Sequence, residues 1–103
     1  MSGKSSPISR LHIISTVVNL TPDQVTYALQ DKSSSELLTM FQLAIYHCDN
    51  KVIKKLLSEG IVNGLNEEDY AIAQLWVRSV VNEEVIVPHR VYVILSSIAD
   101  EYF

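Results

Sequence analysis

The sequence has one cysteine, few prolines and glycines, and no long apolar run. Its single cysteine, Cys48, excludes an intramolecular disulfide framework and is typical of a reducing compartment. Three prolines and three glycines in 103 residues, 48% of which are hydrophobic, exclude a disordered or collagen-like chain and favour long regular elements. The longest apolar stretch, residues 85–99, is interrupted at positions 88–90, which excludes a membrane span. Residues 1–10 lack the apolar core of a signal peptide.

These absences predict a cytoplasmic protein with no membrane association. We expect a flexible lead-in at residues 1–5 and a single helical domain at residues 6–103. A chain of this length can bury a core without disulfides or metals.

Positive charge is scarce in the second half of the chain. Residues 1–55 hold six basic and four acidic side chains, whereas residues 56–103 hold two basic and eight acidic ones, which together give the net charge of −4. An acidic half repels phosphate backbones and attracts basic surfaces. The charge therefore predicts no nucleic-acid binding and a basic protein as partner. The alternative is a solvated acidic face that keeps the domain soluble.

Helix-start signals recur along the chain and predict six helices. N-cap residues and prolines open them at Ser6-Pro7, Thr21-Pro22, Ser33, Asn66 and Pro88, and a fourth helix follows the break at residues 49–50. Gly60 stands where a left-handed cap would end that fourth helix. The predicted buried face of the first helix is Ile8, Leu11, Ile14 and Val18. For the fifth helix it is Ile72, Ala73, Trp76, Val77, Val80 and Val81.

Residues 85–95 also fit a second interpretation. Their β-branched residues are typical of strands, although an isolated two-stranded hairpin is only marginally stable. We predict a helix from Pro88 onward. The fold class is then all-α, a compact bundle of about six short helices or a solenoid-like stack of helix hairpins.

Residues 39–63, TMFQLAIYHCDNKVIKKLLSEGIVN, carry the apolar pattern of two short consecutive helices. This segment resembles one ankyrin repeat, with a Thr-x-Phe-x-Leu-Ala start, a seven-residue gap, an apolar second helix and a terminal Gly60. Met40, Gln42 and Cys48 replace the proline, histidine and glycine of that family's repeat. The resemblance implies a structural role for Ala44 and Gly60, and protein recognition as function. No second copy follows at the repeat spacing, so the flanking helices are degenerate repeats or the match is convergence on a helix hairpin.

The sequence contains no motif for catalysis, metal binding or a cofactor, and we predict none of the three. Adjacent helical residues point about 100° apart, so His47 and Cys48 cannot form a base–nucleophile pair. The same divergence applies to the carboxylates of Glu67-Glu68 and Glu83-Glu84. Neither C-x2-C nor H-x3-H spacing occurs for a metal.

Acidic and tyrosine side chains are the candidates for contact with a partner, because they bind surfaces rich in arginine and lysine. The predicted partner-binding residues are Glu67, Glu68, Asp69, Tyr70, Glu83, Glu84, Tyr46 and Asp49. The predicted function is non-catalytic protein binding, in its sharpest form an inhibitor or immunity protein that neutralises a basic toxin or nuclease. One alternative is a homo-oligomeric or structural subunit that buries an apolar face. The other is a small enzyme, which would need a cleft joining a histidine to a carboxylate.

Overall fold

The computed structural model describes the backbone of residues 7–103 and the side chains of residues 11–103. The predicted lead-in at residues 1–5, the N-cap at Ser6 and the side chain of Ile8 therefore lie outside the described residues. No helix among residues 7–103 combines the length and the apolar character that a membrane crossing requires.

The described chain is all-helical, which confirms the predicted fold class. The helices are α1 (Pro7–Val18), α2 (Val25–Leu29), α3 (Ser34–His47), α4 (Asn50–Ser58), α5 (Glu67–Val81) and α6 (His89–Tyr102). A 3₁₀ turn, Pro22–Gln24, leads directly into α2. No strand occurs within residues 7–103, and residues 86–88 have no regular structure, so the strand interpretation of residues 85–95 is wrong.

Short-range hydrogen bonds set the helix ends where the sequence predicts them. The Ser33 hydroxyl accepts the N–H of Glu36 at 3.2 Å, and the Glu36 carboxylate accepts the N–H of Ser33 at 2.8 Å. Gly60 follows α4 in the left-handed conformation, with a φ of 89°. The N–H of Ile61 then donates to the carbonyl of Leu56 at 3.1 Å, which completes a Schellman cap.

Helices α1, α3 and α5 lie side by side in one layer, with α3 in the middle. The Ser34 hydroxyl, at the start of α3, donates to Asp69 at the start of α5. The Cys48 thiol, just after α3, donates to the carbonyl of Val17 near the end of α1 at 3.3 Å. The three helices therefore run in the same direction. Of the remaining helices, α4 contacts α3, α6 contacts α3 and α5, and α2 contacts α4.

Phe41 of α3 lies at the centre of the core and is 1% exposed. Its ring meets the half-buried Trp76 of α5 edge-on at 6.2 Å and the terminal Phe103 at 5.7 Å between ring centroids. Arg90, in the first turn of α6, donates to the Ile45 carbonyl at 2.9 Å. Because the carbonyls at a helix end carry partial negative charge, this cation stabilises the end of α3.

The predicted buried face of α1 is wrong. Leu11, Ile14 and Val18 are 64%, 37% and 46% exposed, whereas Ile13 and Val17 are 6% and 1% exposed. Both stripes are apolar and both recur at helical spacing, so the local pattern does not distinguish them. Contact with α3 decides which stripe is buried.

The predicted buried face of α5 is confirmed only in part. Ala73, Val77 and Val80 are fully buried, but Ile72 is 49% exposed. Leu75, one turn further along, is 71% exposed. The face of α5 that points away from α6 and the core thus carries large apolar side chains.

The ankyrin-like segment forms the second half of α3, all of α4 and its cap. Ala44 is buried and Gly60 is left-handed, in agreement with the structural roles that the resemblance implies for these two residues. Both features are shared with other capped helix hairpins, so membership of the ankyrin family stays a prediction.

Candidate functional site

The acidic candidates lie in two groups at opposite ends of α5. Residues 67–70 form its first turn, whereas Glu83 and Glu84 follow its last residue. Since α5 has 15 residues, the two groups are about 22 Å apart along the helix axis. The acids that the sequence places in one half of the chain therefore form two surfaces, not one.

Asp69, in the first group, is held by the fold. Its carboxylate accepts the Ser34 hydroxyl, and its N–H donates to the Asn66 side chain at 2.8 Å. The Ser34 oxygen in turn accepts the N–H of Asn66 at 2.8 Å. This three-residue link joins the starts of α3 and α5, so Asp69 has a structural role.

Tyr70 is also engaged within the protein. Its ring stacks on Phe103 with 5.4 Å between centroids, and its hydroxyl donates to the Tyr102 carbonyl at 2.9 Å. Of the first group, only Glu67 and Glu68 are exposed. No described large apolar side chain of that first turn is exposed beside them. The next exposed large apolar residue is Ile72, 49% exposed, one turn after Glu68.

The second group sits on a strained turn. Glu83 has a φ of 62°, the left-handed conformation that favours glycine. Its N–H donates to Val80 at 3.0 Å, and the N–H of Glu84 reaches the Ser79 carbonyl at 2.8 Å. This is the same cap that Gly60 makes after α4, built here on a residue with a Cβ. A non-glycine residue in this conformation costs roughly 1–2 kcal/mol, and such strain clusters at functional sites.

The turn ends in an exposed apolar tip. Ile86 is 99% exposed, and Val85 beside it is 44% exposed. A hollow of about 490 Å³ opens beneath them, with His89 and Tyr92 on its far wall. We call Glu83, Glu84, Val85 and Ile86 the acidic tip. Ile86 is not among the residues packed against the core, and it has the largest exposed fraction of the large apolar residues in the described part of the chain.

Tyr46 and Asp49 lie at the same end of the molecule as the acidic tip. Arg90, which follows that tip in sequence, also donates to the Tyr46 carbonyl at 3.3 Å. The Tyr46 ring stacks on Trp76 with 6.2 Å between centroids. The Asp49 side chain accepts the N–H of Val52 at 3.0 Å and so caps α4. Asp49 thus combines a structural role with an exposed negative charge.

Replacement of the strained residue, Glu83→Gly, is expected to stabilise the protein. Glycine adopts the left-handed conformation without the Cβ penalty, so we expect a gain of about 1 kcal/mol, or roughly 4–8 °C in Tm. Thermal unfolding measures it. Glu84→Gly is the matched control, since its φ is not positive and glycine there only adds flexibility to the unfolded chain. An equal or lower Tm for Glu83→Gly would contradict the strain.

Cys48 is the only thiol and is buried, with 5% of its surface exposed. Burial raises the pKa of this thiol, and the negative charge of Asp49 raises it further, whereas Arg90 opposes the change. The raised pKa keeps the sulfur protonated and a donor to Val17. Cys48 is therefore a packed core residue and not an activated nucleophile.

The raised pKa predicts a loss of stability at alkaline pH. A thiol whose pKa is higher in the folded state contributes stability below its unfolded pKa and loses it as the pH rises further. We expect the free energy of unfolding to fall above pH of about 8.5, with a slope of at most about 1.4 kcal/mol per pH unit from this one group. Urea titrations from about pH 7 to about pH 10 measure it. Cys48→Ala should lack this slope, and parallel curves for the two proteins would refute the assignment.

A second hollow, of about 560 Å³, brings His12 near Asp31 and Glu36. Among the described side chains no hydrogen bond joins the histidine to either carboxylate. The Glu36 carboxylate instead accepts the N–H of Ser33, and this bond is the main reason that its pKa is lowered. The ionised Glu36 carboxylate is therefore a helix cap and not a proton donor.

No protein-family model, curated protein or solved structure matches the chain. Interpretation of function therefore rests on the geometry of this molecule.

The sequence-based list of partner-binding candidates contains neither Ile86 nor Arg90. The signal for Ile86 was available, since a helix that must stop before Pro88 leaves the preceding apolar residues in a turn. Arg90 contacts Ile45 and Tyr46, which precede it by 45 and 44 positions. No local pattern reveals contacts at such separations.

Proposed function

We propose that this chain is a non-catalytic protein-binding protein that binds a basic partner through its acidic tip. The observation that carries the proposal is Ile86, 99% exposed beside Glu83 and Glu84, neither of which forms an ion pair with another described residue. An exposed apolar side chain supplies an anchor for a pocket, and free carboxylates supply charge complementarity and fast association. In its sharpest form the protein inhibits a basic toxin or nuclease by direct binding.

The strain at Glu83 supports the same proposal. A glycine would cap α5 with less strain, and backbone strain of this kind is found at functional sites. The tip also projects from a turn held by the two backbone hydrogen bonds of its cap, so binding would order few additional residues.

The test is capture of a partner by the full immobilised chain from its native host, starting with the product of the neighbouring gene. Purified partner is then titrated by calorimetry from about 0.05 M to about 0.5 M salt. We expect an affinity that falls steeply with salt and that is lost in Ile86→Asp. Tyr27→Asp, a change at an exposed residue of α2 that is far from the tip in sequence, is the control. An affinity that does not change with salt concentration would refute this function. Binding that persists in the Ile86→Asp variant would refute it as well.

A further inference from the structure

A second surface is independent of the acidic tip. It consists of the exposed apolar residues on the three parallel helices, and we call it the outer face: Leu11, Ile14 and Val18 of α1, Tyr46 of α3, and Ile72 and Leu75 of α5. On each helix these residues lie outside the buried stripe, as the 100° step between residues allows.

The three stripes belong to one side of the molecule. Helix α3 lies between α1 and α5 and runs in the same direction as both, so its exposed side adjoins the exposed sides of its two neighbours. A groove of about 280 Å³ marks its middle, lined by Thr39, Gln42, Leu43, Tyr46 and Trp76. This groove shows directly that the exposed side of α3 continues onto α5.

The outer face carries almost no charge. The described side chains of α1, residues 11–18, include no acidic or basic one apart from His12, and the exposed or half-exposed α3 residues of the groove are uncharged. The nearest α5 charges, Glu68 and Arg78, lie at its border, and Arg78 contacts Asp100 of α6 at 3.6 Å. The charge that selects a basic partner at the acidic tip is thus missing here.

The exposed apolar area is close to what a dimer needs. A fully exposed large side chain presents on the order of 150–200 Å², so the exposed fractions of these six residues amount to about 500 Å². A standard interface buries about 800 Å² per partner. About 65% of a homodimer interface is apolar, so these six residues supply about the apolar area that such an interface needs.

We propose that the outer face is the interface of a homodimer. Two copies with a net charge of −4 repel each other over most of their surfaces, but not across a face that lacks charge. A two-fold axis brings the same patch of both copies together. In that arrangement Leu75, 71% exposed, fits the groove beside Trp76 of the partner copy. The acidic tip lies at one end of α5 and stays free.

Sedimentation equilibrium of the full chain tests the proposal, between about 1 µM and about 300 µM protein. We expect a monomer–dimer equilibrium that persists at high salt, in contrast to binding at the acidic tip. Leu75→Glu and Leu11→Glu place charge on the outer face at sites that are already exposed, so both should fold. Each should raise the dissociation constant at least tenfold.

Tyr27→Glu is the matched control, because it adds the same charge to a large side chain, 79% exposed, that lies outside both the outer face and the acidic tip. It should leave the dissociation constant of the dimer unchanged. The circular dichroism spectra of the wild type and of all three variants should be equal. A wild-type monomer at the highest concentration would overturn the proposal, as would dimers that Leu75→Glu and Leu11→Glu leave intact. Binding of the monomer to neutral phosphatidylcholine vesicles would assign the face to a lipid surface instead and would also overturn it. None of these outcomes bears on the acidic tip.

Discussion

Phe41→Ala is expected to lower the free energy of unfolding by about 3–5 kcal/mol. Phe41 is 1% exposed, and its ring contacts Trp76 of α5 and Phe103 after α6. Truncation leaves a cavity where α3 meets α5 and the residue that follows α6. Because domains of this size are stable by only about 5–15 kcal/mol, the variant should be close to unfolding at 37 °C. Urea unfolding followed by circular dichroism measures the loss.

Tyr46→Ala provides a matched aromatic control on the same helix. Tyr46 also contacts Trp76, but 42% of its surface is exposed, so little apolar area and no closed cavity are involved. We expect a loss below about 1.5 kcal/mol. If the two substitutions had equal effects, Phe41 would not be the residue that joins the three elements.

The double charge reversal Glu83→Lys/Glu84→Lys is expected to weaken partner binding by at least about 100-fold. Each substitution replaces a carboxylate with a cation that faces the basic side chains of the partner. Like charges placed together at an interface cost several kcal/mol. The association rate should fall most, because steering depends on the charge of the tip. Surface plasmon resonance at low salt separates the association and dissociation rates for the captured partner.

Glu67→Lys/Glu68→Lys is the decisive control. It changes the net charge by the same amount, from −4 to 0, but at the other end of α5. If the acidic tip is the site, the affinity of this variant for the partner should fall by less than about tenfold, because only long-range steering is weakened. Equal losses in the two double variants would show that total charge matters and that the tip does not.

Glu83→Gly connects stability to binding. It should raise the Tm and, by removing one carboxylate of the acidic tip, weaken the partner complex. A gain in stability coupled to a loss of binding is the pattern expected when a residue is kept for contact with a partner and against the preference of the backbone. The same variant should leave the homodimer unchanged, since residue 83 lies outside the outer face.

The sequence by itself determined the helices and their ends. Ser33 with Glu36, Gly60 and Asn66 satisfy backbone groups within a few residues of themselves, so their partners are fixed by the local chain. The turn before α6 follows equally from Pro88, which disfavours helical geometry at the residue before it. These interactions have short sequence separations and need no knowledge of the fold.

Only the tertiary structure decided which apolar stripe of α1 is buried and which acids are free. Leu11 and Ile13 are equally hydrophobic, and their exposures of 64% and 6% follow from where α3 packs. Asp69 and Glu83 are both helix-end acids, yet one is bound by Ser34, 35 residues away, and the other projects from a strained turn. Burial and pairing depend on contacts between distant segments, and a one-dimensional pattern of residues does not contain them.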